Sequence, residues 1–71
     1  MKPLPYREVK RKLEQAGFVE ISQKGSHVKF AKELADETWT VIVPYHREVS
    51  PGTLRSILRQ AGLSVDEFEE L

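Results

Sequence analysis

The apolar residues of this chain change their spacing twice, and nothing else in the sequence limits the fold as tightly. Between residues 5 and 16, Tyr6, Val9, Leu13 and Ala16 recur at every third or fourth position, one face of an amphipathic helix. Arg7, Lys10 and Arg11 occupy the other face, and Gly17 stands where a C-terminal cap belongs. The period then drops to two. Phe18 to Lys24 alternates Val19 and Ile21 against Glu20 and Ser22, a half-buried strand that ends at the turn signal Lys24-Gly25. His27 to Ala31 alternates again, with Val28 and Phe30 on one face and His27 and Lys29 on the other. The polar run Lys32 to Glu37 reads as a loop. Thr38 to Val43, rich in β-branched and aromatic residues, reads as a third strand that Pro44 ends. Helical spacing returns with Leu54, Ile57, Leu58 and Ala61, between a Ser50-Pro51 start and Gly62. Ser64 and Glu67 form a capping box for a short acidic tail helix ending in Phe68 and Leu71.

Helix, three strands, helix and tail predict an α+β fold. Short connections favour an antiparallel meander, and two amphipathic helices can cover one face of such a sheet, leaving the other face open. With 71 residues, the chain reads as a single domain over 1–71. A domain of this size removes only about 60% of its unfolded surface from water, so its regular apolar positions all serve one thin core and a large cofactor cavity is not expected. The absence of Cys rules out disulfides, thiolate metal sites and a Cys nucleophile, and two His make no convincing metal cluster. No metal and no cofactor are expected. No apolar run approaches the ~20 residues of a membrane span, so the expected setting is cytoplasmic, with no membrane partner.

Charge bears on partners through its distribution. Basic and acidic residues balance at 11 each, but residues 1 to 32 hold eight basic and three acidic residues, and residues 33 to 71 the reverse. Asp66, Glu67, Glu69 and Glu70 crowd the last six positions. The first half can thus attract polyanions that the net charge of zero would hide.

The first candidates for chemistry lie in that basic half. His27 follows Gly25-Ser26 at the mouth of a hairpin, on the face that Val28 and Phe30 do not use. Imidazole changes charge near neutral pH, and proton transfer by such a group contributes about 10² to 10⁴ in rate. Lys24 and Lys29 flank it and would hold a phosphate and stabilise charge gathering there. By itself this pattern also fits an ordinary surface His. His46, in Pro44-Tyr45-His46-Arg47, is either a second proton carrier or phosphate ligand, or a loop His bonded to backbone. The N-terminus of the second helix is a generic anion site, and Arg55 and Arg59, one turn apart, could grip phosphates or carboxylates. Trp39 keeps phase with Val41 and Val43 and reads as packing, while Tyr45 is freer.

Taken in order, Gly17-Phe18, Lys24-Gly25-Ser26-His27, Val43-Pro44 with His46, and Pro51-Gly52-Thr53-Leu54 through Ala61-Gly62 resemble the HicA-type (YcfA-like) toxin family of toxin-antitoxin modules. The resemblance spans almost the whole chain. It implies a fold like that of double-stranded-RNA-binding domains, with the element order read above. It also implies a metal-independent mRNA interferase that arrests translation and is neutralised by a HicB-type antitoxin, so the implied partners are mRNA and that antitoxin. In that family the His of the Gly-Ser-His motif is catalytic, which here is His27. The expected RNA- or phosphate-binding residues are Lys24, Ser26, Lys29, His46 and Arg55. Duplex readers of this fold place a Lys-rich cluster at the start of their second helix, where this chain has Ser50-Pro51-Gly52-Thr53, so single-stranded or loosely paired RNA is the expected substrate. Two alternatives stay open: a non-catalytic RNA-binding module, and a degenerate toxin that only binds protein.

Overall fold

A computed structural model describes all 71 residues. The elements are β1 (Leu4–Pro5), α1 (Tyr6–Gln15), β2 (Val19–Lys24), β3 (His27–Leu34), β4 (Glu37–Pro44), β5 (Glu48–Val49), α2 (Pro51–Ala61) and α3 (Val65–Glu69). Strands β2, β3 and β4 form an antiparallel meander with β3 in the centre, and β1 and β5 pair as a separate ribbon. The expected α+β layout of helix, three-stranded antiparallel sheet, helix and short C-terminal helix is present. The ribbon was not expected, because two-residue strands carry no readable period.

One face of the sheet is buried. Its register sets Val28 opposite Val43 and Phe30 opposite Val41. These four pack against Val9 and Leu13 of α1, Leu54, Ile57, Leu58 and Ala61 of α2, and Phe68 of α3. The shortest dimension of the molecule is 17 Å, the thickness of one sheet and one helical layer.

The helix ends are closed by local chemistry that the sequence announces. At the end of α1, Gly17 takes φ 101°, its N–H donates to the Glu14 carbonyl, and the Phe18 N–H donates to the Leu13 carbonyl at 2.9 Å. At the end of α2, Gly62 takes φ 70°, with Gly62 N–H to Arg59 and Leu63 N–H to Leu58 repeating the pattern. Both are Schellman closures, in which glycine adopts a left-handed conformation that other residues resist. The Ser50 hydroxyl accepts from the Thr53 N–H, and Ser64 and Glu67 exchange the two bonds of a capping box.

Two lysines finish the packing. Lys12 is only 9% exposed, and its Nζ donates to the carbonyls of Phe68 and Leu71 at 3.0 Å each, tying α3 to α1. Lys32 donates from β3 to the Ala16 carbonyl at 2.7 Å. Each places a cation where the last carbonyls of a helix concentrate negative charge. On the free edge of β4, the Gln60 side chain accepts from the Ile42 N–H at 3.0 Å. Pro44, two residues on, turns its nitrogen to the same edge and so removes no ladder bond.

Two expectations are corrected. Strand β2 is not half-buried: Val19 and Ile21 are 59% and 52% exposed, and the whole strand is open to solvent. Cross-strand neighbours share a face, so once Val28 and Phe30 are inside, their partners Gln23 and Glu20 take the helix side and the apolar residues fall outside. A register shift between Glu20 and Ser22 adds Ile21 as an extra residue on this edge strand. Lys32 to Glu37 is not a loop either. Strand β3 continues to Leu34 and β4 starts at Glu37, leaving a two-residue turn at Ala35-Asp36. Ala35 has φ 55° without being glycine, so the left-handed position of the turn lacks the residue that would mark it in the sequence.

Gly62 is the most demanding backbone position. A Cβ there would lie 2.2 Å from the Trp39 ring, in addition to the left-handed φ. Gly62→Ala is expected to destabilise the fold by about 2 to 4 kcal/mol, seen as a lower urea midpoint with an unchanged slope. In the capping box, hydrogen bonds from the Ser64 N–H and hydroxyl hold the Glu67 carboxyl below the usual carboxylate range. Its contribution is therefore complete above the unfolded-state value and lost as pH falls through the lower folded-state one. The thermal midpoint of Glu67→Gln should fall less than that of the parent between about pH 5 and pH 3.

Candidate functional site

The site begins at the tight turn between β2 and β3. Gly25 takes φ 60°, a conformation that favours glycine, and the Gln23 side-chain amide donates to its carbonyl at 3.0 Å. His27 is the first residue of β3, opposite Lys24 on β2 and Pro44 on β4. Because Val28 and Phe30 point into the core, His27 and Lys24 stand on the open face of the sheet. Lys29, two residues on and opposite Ser22 and Ile42, joins them. All three are exposed. Directly opposed side chains in such a ladder have Cβ atoms about 4.5 to 5.5 Å apart, so both ammonium groups can reach a ligand held at His27.

A second cluster lies around the end of the sheet. Where the chain leaves β4, the Tyr45 N–H donates to the Ser26 carbonyl at 2.6 Å and the His46 N–H donates to the Pro44 carbonyl at 2.9 Å. The Tyr45 ring packs on Tyr6 of α1 with centroids 4.6 Å apart and planes tilted by 52°. Beside this pair is an open cleft of about 450 Å³, whose polar walls are Arg7, Lys10, Arg11, Glu14, His46 and Arg47. Lys10 pairs with Glu20 at 2.9 Å and Arg11 with Glu8 at 3.0 Å. The Arg11 hydrogen bond holds the Glu8 carboxyl below its usual range, and the Glu20 hydrogen bond pushes Lys10 up. Burial, reinforced by Glu20, raises the Tyr6 phenol, which stays neutral. Arg7 and Arg47 form no ion pair.

The structure thus sorts the expected residues. Lys24, His27 and Lys29 come together on the open face. Ser26 supplies the carbonyl that anchors Tyr45. His46 belongs to the cleft wall, and His27 lines no cleft of the molecule. Arg55 is exposed on α2, in the helical layer across the sheet from His27, and does not join them. The meeting of Arg7 with Arg47 was not foreseen. Arg7 was visible on the polar face of α1, but only the pairing of β1 with β5 brings the two arginines to one cleft.

The acidic tail runs from the other end of the sheet onto α1: Glu69 borders a hollow with Met1, Lys2, Leu4 and Lys12, and Arg11 donates to the Leu71 carbonyl at 3.4 Å. Glu67 of α3 borders a hollow with Lys32, Leu34 and Trp39, whereas His27 opens β3 about 23 Å from Leu34 along the strand. No three His, Asp or Glu side chains converge on a point that would hold a metal ion. No helix is long and apolar enough to cross a membrane.

Gly25 has open space around it but a left-handed φ. Gly25→Ala should therefore cost about 1 to 2 kcal/mol, and Gly25→Asn less, in urea unfolding. A family model described as "HicA toxin of bacterial toxin-antitoxin" matches residues 6–63. No curated protein matches the chain.

Proposed function

Because the chain belongs to the HicA toxin family, and so is the toxin of a toxin-antitoxin system with an antitoxin as partner, we propose that it is a metal-independent endoribonuclease that cleaves mRNA through His27. The observation that carries this reading is the exposed Lys24-His27-Lys29 group on the open face of the sheet. It offers a proton carrier between two cations with no protein layer over it.

The residues divide the work as follows. A single-stranded segment lays its scissile phosphate between Lys24 and Lys29. Neutral His27 accepts the proton of the adjacent ribose 2′-OH as that oxygen attacks phosphorus. The P–O5′ bond then breaks, giving a 2′,3′-cyclic phosphate on one fragment. The departing 5′-oxygen takes a proton from the imidazolium or from water. Lys24 and Lys29 stabilise the charge that builds on the phosphorane oxygens. These cations act on the backbone, so affinity should depend on salt and little on base identity. The Ser50–Thr53 start of α2, without lysines, supports a single-stranded or loosely paired substrate over a long duplex. A HicB-type antitoxin that covers this open face would neutralise the toxin by excluding RNA from His27.

The test is cleavage of a single-stranded RNA by the purified protein with EDTA present. The parent should cut and leave cyclic phosphate ends. His27→Ala should lose at least about 10²-fold in rate, with a thermal unfolding curve close to the parent because the residue is exposed. Undiminished cleavage by His27→Ala would remove His27 from the mechanism. RNA binding without cleavage by the parent would leave a binding module.

A further inference from the structure

We propose that the cleft between α1 and the Tyr45–Arg47 segment is a second RNA subsite, in which Tyr45 stacks a base beside the cleavage point and Arg7 and Arg47 hold the adjoining phosphate. This assignment rests on the endoribonuclease reading and extends it to residues away from His27.

Three independent features of the cleft support it. Tyr45 is a large aromatic side chain left 58% exposed although one neighbour, Tyr6, already packs against it. Tyr6 is itself packed on the core, so the pair has a fixed base. An aromatic ring held in place with surface to spare is what stacking of an unpaired base uses, and every base has the flat face to match it.

The second feature is charge. Arg7 and Arg47 border both this cleft and the adjoining one, and neither forms an ion pair. Glu14 and Glu48 lie at the two margins, one in each cleft. Planar guanidinium groups suit phosphate oxygens well. Lys10 stands on the same wall in an exposed ion pair with Glu20 of the kind worth about 0 to 1 kcal/mol, which a phosphate can compete with, whereas Arg11 is held by Glu8, Gln15 and the Leu71 carbonyl.

The third feature is position. The Tyr45 N–H bond to the Ser26 carbonyl extends the β3–β4 ladder by one step beyond the His27–Pro44 pair. Tyr45 is thus bonded to the residue before His27, and its own predecessor Pro44 faces His27 across the ladder. A strand with its scissile phosphate on the open face, turning around the sheet end between Ser26 and Pro44, arrives at Tyr45 with its next nucleotide. An acidic peptide could also use the arginines, but in single-stranded nucleic acid every phosphate has a flat base beside it, so that is the occupant that matches both halves of the cleft.

The experiment measures binding of a short fluorescein-labelled single-stranded oligoribonucleotide by anisotropy in the His27→Ala protein, so that cleavage plays no part. Tyr45→Phe and Tyr45→Leu both keep bulk against Tyr6, but only Phe keeps a flat face. Tyr45→Phe should bind within about twofold of its parent and Tyr45→Leu about tenfold more weakly. The Arg7→Ala/Arg47→Ala double variant should lower the slope of log affinity against log salt by about 0.7 for each phosphate that the arginines had neutralised. Equal affinities for Phe and Leu together with an unchanged salt slope overturn the proposal. So does loss of antitoxin binding with RNA affinity intact, which would make the cleft a protein-binding surface. Cleavage measured in parallel with His27 restored separates the two readings. Tyr45-dependent binding by a protein that never cuts keeps the subsite and sinks the nuclease. Normal cutting and binding by Tyr45→Leu and the double variant keep the nuclease and sink the subsite.

Discussion

Alternation along β3 joins the core to the candidate site. Val28 and Phe30 sit at the centre of the buried cluster, and both helices pack over their face of the sheet. A strand that commits these two residues to the interior must display His27 and Lys29 on the opposite face, because successive side chains point to opposite sides. A slip of one residue would bury the imidazole and expose two core residues, so the stability of the fold maintains the placement of His27. The same constraint passes across the ladder: it sends Lys24 to the open face and Glu20 and Gln23 to the helix side, where they remain exposed at the sheet edge. Exposure of Val19 and Ile21 follows from this register.

Charge is divided among separate tasks that the sum of zero conceals. Lys12 and Lys32 close the C-terminal ends of α3 and α1. Lys10 and Arg11 meet Glu20 and Glu8 on the surface. Lys24 and Lys29 remain beside His27, and Arg7 and Arg47 remain in the cleft. The basic half of the chain is therefore less available to a polyanion than its composition indicates, and what is available concentrates at the hairpin end of the sheet. Glu67 of the acidic α3 stands at the far end of the sheet from His27, and the residues after it lie against α1.

An open site of this kind has chemical consequences. A few side chains on an uncovered sheet can position a phosphate and move a proton, but they exclude little water and read little of the bases. For the proposed endoribonuclease, selectivity would then come from where RNA is single-stranded and from contacts beside the cleavage point, and control would come from a partner that covers the face. Both agree with a toxin held in check by an antitoxin.

Much of this was legible in the residues. Helical spacing marked α1 and α2, Gly17, Ser50, Gly62 and the Ser64–Glu67 pair marked their limits, and the phase of Val28 and Phe30 predicted the exposure of His27; each is a property of neighbours within a few positions. The two misread stretches were those where neighbours are silent. In β2 the face is decided by pairing with β3, and at Ala35-Asp36 a tight turn forms with alanine, not glycine, in the left-handed position, between paired strands on both sides. The site divides along the same line. The Gly-Ser-His hairpin with its two lysines is local, so its place at the end of the sheet is legible in the sequence. The Tyr6–Tyr45 pair and the Arg7–Arg47 cleft join segments far apart in the chain, and Arg55 was separated from His27 by the thickness of the sheet. Sequence by itself determined which elements form and which way β3 faces, because period and capping are local. Only the tertiary structure decided which distant cations share a surface and which lysines become internal ties, because that depends on strand register and helix packing.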